Sequence, residues 1–505
     1  MTQKQLSIGV HYEPSGVDPH IGSAELALQM TNGVFDTLIN KTVDGHYLPG
    51  LSERYEVSSD ECTYTFYLRR DVTFHDGTPF NAQAVKFSLD RAHDPANNSQ
   101  LAGSLLGSYH QSHVIDDYTV TIILDEPYAL LLDALSQGWL APISPTAVAK
   151  LGKEFARHPV GTGPFVFDRW KAGKYIVIKR NPDYRWPPTL VANQGAAHLD
   201  EIIFRFLPDN AARTSALESG VVDAIFYVAP DDCARLRAEG SYYLETLPIR
   251  GIPVCMMMNI EKSPTDELAV RQAISHAMDR DALVTEVFHD EFKRAYGPVS
   301  QFTLGYNPAV ESYYLFDPDK SANLLDKAGW QLEEDGLRYR NGKPLSVEFY
   351  ALPVNFYPQF GEIVTRQLAA VGISVVVQLL DPVPWIKAGM RGDHHLIPQG
   401  KYASSSQLLS FVYHSRHSGP TGYGWSKRPA EHSPGFDDLI ERAERTLPTE
   451  EFVPLFQQVQ KHVMDEALAV PLHCNTNIVA ARNFVQGIKF DAIGAYPLFH
   501  DTDLI

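Results

Sequence analysis

Residues 64–89 can fold in few ways. Tyr64, Phe66 and Leu68 recur at period two, which makes one face of a strand apolar. Asp76-Gly77 marks a tight turn, because Gly takes positive φ without a steric cost. Asn81 is placed to cap a helix in which Ala84, Val85 and Leu89 form an inward stripe. The segment therefore reads strand, turn, capped helix.

At 505 residues the chain exceeds one ordinary core, and length alone suggests about three domains. Its 44% hydrophobic and 21% charged content is that of a globular protein. The net charge is −18, with 61 acidic against 43 basic residues. That argues against nucleic acid or an anionic membrane as a partner. No apolar run approaches the roughly 20 residues that a membrane helix needs. The N-terminus, Met-Thr-Gln-Lys-Gln-Leu-Ser-Ile-Gly-Val, has no signal-peptide core. Read literally that means cytoplasmic; a removed leader is the alternative. Cys62, Cys233, Cys255 and Cys474 form no CxxC pair, which argues against a zinc site or redox dithiol. Cys255, in Val254-Cys-Met-Met-Met258, reads as a buried small hydrophobe, and Cys233 with Cys255 is a candidate disulfide in an oxidising compartment.

Further along, Gly161-Thr-Gly-Pro-Phe165 lacks the Lys-Ser/Thr and helix of a phosphate loop, and reads as a turn into a strand. Residues 200–228 read strand, helix, strand, which suggests an α/β layer. Val270, Ala273, Ile274, Ala277 and Met278 follow helical spacing. Asp317-Pro318 starts a helix that ends at Gly329, and Asn341-Gly342 is a hairpin turn. A helix through Phe360, Ile363, Val364 and Leu368 leads to a strand over 373–380, giving a second α/β lobe. No catalytic order is recognisable: there is no Gly-x-Ser-x-Gly, His-Glu-x-x-His or Walker pattern.

Segment 64–89, Gly161-Thr-Gly-Pro164, Lys179-Arg-Asn-Pro-Asp-Tyr184, the helix within 263–280, Asp317–Trp330 and Ala467–Leu472 together resemble one family. It is that of the periplasmic solute-binding proteins of peptide, nickel and opine ABC importers. The resemblance implies an α/β, two-lobed periplasmic-binding-protein fold (type II, cluster C) with an extra strand-rich domain inserted near the N-terminus. It places lobe I at 1–40, 168–255 and 475–505, the inserted domain at 41–167 and lobe II at 256–474, with crossings near 255 and 475. It implies a monomeric receptor, periplasmic or lipid-anchored outside the cytoplasm, that closes on a small solute and delivers it to a membrane permease without cofactor, nucleic acid or catalysis. It also favours the removed leader.

By the same resemblance, solute contacts concentrate in residues 394–425. Tyr402, Ser404, Ser405, Ser406, His414, Arg416, His417, Tyr423 and Trp425 are the candidates there, with Trp139, His20 and Ser23 from the first lobe. Peptide-binding relatives hold the peptide ammonium with an Asp where this chain has Ala403–Ser406. Serine hydroxyls cannot offset ammonium desolvation as a carboxylate does, which argues against simple peptides. Arg416 suits a carboxylate or phosphate, and the aromatics suit stacking on an opine or sugar conjugate or, individually, packing within the protein. His417 is the candidate ligand of a chelated metal such as nickel; solvated loop histidines are the plainer reading of His394, His395, His414 and His417. His473 reads as a core residue. A metal-dependent hydrolase is the rival from another class, separable by turnover.

Overall fold

Tyr64, Phe66 and Leu68 are buried along the strand Thr63–Leu68, as their alternation predicts. They face Ile122 and Val120 of Thr119–Leu124 in an antiparallel register. The computed structural model describes residues 3–21, 25–97, 99–354, 356–406, 408–420, 422–446 and 452–505. Gly77 takes φ +80° in the expected turn. Asn81 caps the helix Ala82–His93 by accepting from the Ala84 N–H at 3.1 Å. That helix buries Ala84, Val85 and Leu89.

The chain divides into two units, Met1–Leu247 with Asn477–Ile505, and Pro248–Thr476. In the first, a seven-stranded sheet runs in the order Tyr242–Pro248, Thr476–Arg482, Ala224–Ile225, Gln5–Val10, Glu201–Phe206, Tyr175–Arg180, Phe165–Lys171. A separate four-stranded antiparallel sheet, Ser52–Val57, Thr63–Leu68, Thr119–Leu124 and Tyr109–Asp116, carries the opening segment. Gly161 serves close backbone approach rather than phosphate: a Cβ there would lie 2.2 Å from the Val34 carbonyl oxygen.

The second unit has a five-stranded sheet in the order Ser374–Leu379, Ser346–Ala351, Leu396–Tyr402, Gly251–Met258, Ala469–His473. Met256, Met258, Phe349, Leu396 and Val470 join Val270, Ile274, Phe360 and Val364 in one buried cluster, so the helices Leu268–Ala277 and Tyr357–Ala369 cover one face. Asp317 caps the helix Pro318–Lys327, accepting from the Lys320 N–H at 2.8 Å, and Gly329 is left-handed at φ +85°. His473 sits among Phe288, Phe292, Phe356 and Phe360, with ring centroids 4.6–5.6 Å away. Burial lowers its pKa to about 4.

Two expectations change. The second strand expected within residues 200–228 is only the two residues Ala224–Ile225. The candidate disulfide is absent: none of the four cysteines is in a disulfide, and Cys233 and Cys255 are buried thiols on a helix and a strand. Among the described residues no helix is long and apolar enough to cross a membrane.

Candidate functional site

The strand Leu396–Tyr402 lies at the centre of its sheet, parallel to Ser346–Ala351 and antiparallel to Gly251–Met258. Open α/β sheets bind ligands beyond the carboxyl ends of such strands. Toward that end the strand changes character: Leu396 and Ile397 are fully buried, whereas Lys401 and Tyr402 are half-buried. Alternation sets Ile397, Gln399 and Lys401 on one face. Gln399 Nε2 donates to the Tyr423 carbonyl at 3.1 Å, and Lys401 Nζ lies 4.7 Å from the Tyr423 ring centroid.

Tyr423 is the middle ring of a stack. Phe411 lies 5.1 Å away at 26°, and Trp425 lies 6.0 Å away at 21°. Trp425 is buried and braced edge-on by Trp385 at 4.9 Å. Gly389 is what lets the helix Pro382–Arg391 reach it, since a Cβ at 389 would lie 2.6 Å from the indole. Among the described residues no carboxylate pairs with Lys401. Its ammonium charge is held by an aromatic face alone, an attraction of about 0.5–1 kcal/mol where water has access.

Arg416 is placed differently. The loop 414–417 is pinned to one face of the helix Phe436–Arg445, whose Asp437, Glu441 and Glu444 recur at helical spacing. Asp437 accepts from the Ser415 N–H at 3.1 Å and pairs with the buried Arg428 guanidinium. His414 is buried; its Nδ1 accepts from the Arg416 N–H at 3.1 Å, so its Nε2 carries the proton donated to Glu441 at 3.3 Å. Arg416 Nη2 lies 3.1 Å from both oxygens of Glu444 and 2.8 Å from Ser410 Oγ. The guanidinium proposed for a solute anion is thus already neutralised. This acidic stripe was missed, although its spacing was visible in Phe436-Asp-Asp-Leu-Ile-Glu-Arg-Ala-Glu-Arg445.

His417 Nε2 faces the donor Arg416 Nε at 3.2 Å. Burial, then the Arg416 guanidinium and His414, lower the pKa of His417 to about 4. A metal would have to displace that donor. Among the described residues no three His, Cys, Asp or Glu side chains converge as a metal site. His394 and His395 are not solvated loop residues. His394 is fully buried, bonds the Trp425 carbonyl through Nε2 at 2.8 Å and is driven by burial to a pKa of about 3. His395 spans the Glu348 N–H at 3.0 Å and the Ser263 carbonyl at 2.9 Å.

Ser404, Ser405 and Ser406 are buried. Ser405 bridges to Leu304, and Ser406 Oγ donates to the Leu304 carbonyl at 2.9 Å, so Ser405 and Ser406 shape the loop after Tyr402. Tyr402 pairs with Gly251. The remaining candidates belong to the first unit. Trp139 is buried edge-on to Tyr496 at 5.6 Å. His20 is buried with both ring nitrogens engaged, Nε2 on the Ala141 carbonyl at 2.9 Å and Nδ1 facing Arg91 at 3.1 Å. It secures its own loop and has no nitrogen left for solute in this arrangement. Ser23 lies outside the described residues.

The fold is thus two α/β units, one of which carries a cation-on-aromatic pair at the carboxyl end of its central strand. The profile of the bacterial extracellular solute-binding proteins, family 5 (Middle), matches residues 46–423. The glutathione-binding protein GsiB of Escherichia coli O6:K15:H31 is 29% identical over 489 residues, covering 93% of this chain and 88% of that protein. The dipeptide-binding protein of Escherichia coli K12 is 27% identical over 483 residues, covering 89% and 85%. The structure of NikA from Brucella suis with Fe(III)-EDTA superposes with a TM-score of 0.86 at 26% identity, covering 99% and 100% of the two chains. The chain belongs to the family 5 solute-binding proteins and has their two-lobed fold: it is the substrate-binding component of an ABC importer.

Proposed function

We propose that the solute bears a carboxylate and a flat or apolar flank, received by Lys401 and Tyr423. The observation that carries this is the Lys401 ammonium 4.7 Å over the Tyr423 ring with no acidic partner among the described residues. A cation held only by an aromatic face gains a charge-assisted hydrogen bond when an anion arrives. The relatives' ligands point the same way: glutathione, dipeptides and Fe(III)-EDTA all carry carboxylates. Tyr402, the next residue on the same strand, and the half-exposed Arg416, on the loop between Phe411 and Tyr423, join the contact set. The protein works as a periplasmic monomer, binds without turnover and hands its solute to a permease.

Mass spectrometry of whatever co-purifies, with calorimetry on the parent and Lys401→Met, tests the reading. The expected result is a carboxylate-bearing solute that the variant binds more weakly. A co-purified solute with no anionic group, or an unchanged affinity in Lys401→Met, overturns it. Metal-dependent turnover of peptides or esters would instead support a hydrolase.

A further inference from the structure

The sheet of the first unit has its own carboxyl-end edge. Gln5–Val10 is flanked in parallel by Glu201–Phe206 on one side and Ala224–Ile225 on the other. The chain leaves Phe206, passes through the helix Asn210–Glu218 and returns across Gln5–Val10. Connections diverge at such a point, and open α/β sheets hold ligands there.

His11 is the first residue past Gln5–Val10, and Tyr227 follows Ala224–Ile225 closely. Their rings pack at 4.5 Å and 57°. Tyr227 is left-handed at φ +55°, a strained conformation for a bulky residue that persists only where its surroundings enforce it. Arg213, itself buried, supplies that: Nη2 donates to the Tyr227 carbonyl at 2.7 Å and Nη1 to the Leu207 carbonyl at 2.8 Å. Gln29 Nε2 donates to the Tyr227 hydroxyl at 2.5 Å, and Asn477 Oδ1 accepts from the Tyr227 N–H at 3.4 Å. One guanidinium thus ties the ends of two strands, and the tyrosine it holds fixes the His11 ring.

Neither ring nitrogen of His11 has a hydrogen-bond partner among the described residues, and Nδ1 is buried. His20 and His395, by contrast, use both nitrogens. Burial, then the Arg213 guanidinium, lower the His11 pKa to about 4, so the ring is neutral and has one N–H and one lone pair. An orphaned buried N–H is rarer than an orphaned acceptor, which puts the proton on the open Nε2.

We propose that His11 is a solute-contacting residue of the first unit, donating from Nε2–H to an oxygen of the solute while Tyr227 holds the ring. This rests on the carboxylate reading above and adds a donor that the sequence did not single out.

The test uses the full chain and a panel of glutathione, Gly-Ala and an opine, with the tightest binder as probe. In 15N-histidine NMR, the His11 signals, identified by their loss in His11→Gln, should shift at saturation and stay those of a neutral ring. His11→Phe should raise Kd about tenfold, and His11→Gln, which retains a donor, should recover part of that. Unmoved His11 signals with parental affinity in His11→Phe overturn the inference. If Lys401→Met weakens binding while His11→Phe does not, only this inference falls; if neither does, or if no panel member binds, the carboxylate reading falls with it.

Discussion

Lys401 Nζ lies 4.7 Å from the centroid of the Tyr423 ring, and Gln399, two residues earlier on the same strand face, holds the Tyr423 backbone through its carbonyl at 3.1 Å. One strand therefore positions both the cation and the aromatic surface beneath it. Arg416, on the loop 414–417, spends its charge on Glu444. The two cations differ in what a solute must displace, and the following outcomes depend on that difference.

Lys401→Met keeps the length and apolar stem of the side chain and removes only the charge. Binding of a carboxylate solute should weaken by about 1.5–3 kcal/mol, the range for hydrogen bonds to charged groups, or roughly 10- to 150-fold in Kd. Calorimetry reads it. The midpoint of urea unfolding should stay near the parent's, because the side chain is half-exposed.

Asp437→Ala should be costly and Glu444→Gln mild. Asp437 is the carboxylate partner of Arg428, whose side chain is fully buried. Its loss leaves a buried charge uncompensated, at about 3–5 kcal/mol. Glu444 pairs with a half-exposed Arg416, so its loss should cost under about 1 kcal/mol. Urea denaturation of both variants separates these values, and equal losses would contradict the burial argument.

Gly389→Ala should destabilise the second unit by about 1–3 kcal/mol. A methyl there would meet the Trp425 indole at 2.6 Å, and that indole is wedged against Trp385. Trp425 fluorescence should change with it; an unaltered unfolding midpoint would show that the helix can move aside.

His394 carries a pH signature. Its folded pKa is lowered by burial from 6.5 to about 3. Between those values the unfolded chain binds the extra proton, so stability from this group is fully present above about pH 6.5 and is lost as pH falls toward about 3. His394→Gln should flatten the stability profile relative to the parent across that window. Subtracting the two profiles cancels the opposing carboxyls, such as Asp491, which burial raises to about 6. Parallel profiles would refute the assignment.

Solutes with more carboxylates than ammonium groups should bind best. Ala403–Ser406 contain no acid, and Ser404–Ser406 are buried in the loop. Gly-Ala and other simple dipeptides should therefore bind more weakly than glutathione, which adds a second carboxylate without a second ammonium. Submicromolar binding of several unrelated dipeptides would contradict this.

The sequence by itself determined what depends on near neighbours. Alternation at Tyr64, Phe66 and Leu68, the caps at Asn81 and Asp317, and the turns at Gly77 and Gly329 are set by a few adjacent residues, and each took the form its chemistry dictates. The spread of family motifs along the chain likewise identified the receptor class. Tertiary structure alone decided which polar side chains remain unspent. His20 and His11 look alike in sequence, yet Ala141 and Arg91 occupy one imidazole and no described residue bonds the other. Arg416 and Lys401 are both cations of the 394–425 segment, yet among the described residues only Arg416 meets a carboxylate, on a helix that follows later in the chain. Whether a donor or charge is free depends on partners brought close by folding, and local periodicity carries no record of those distances.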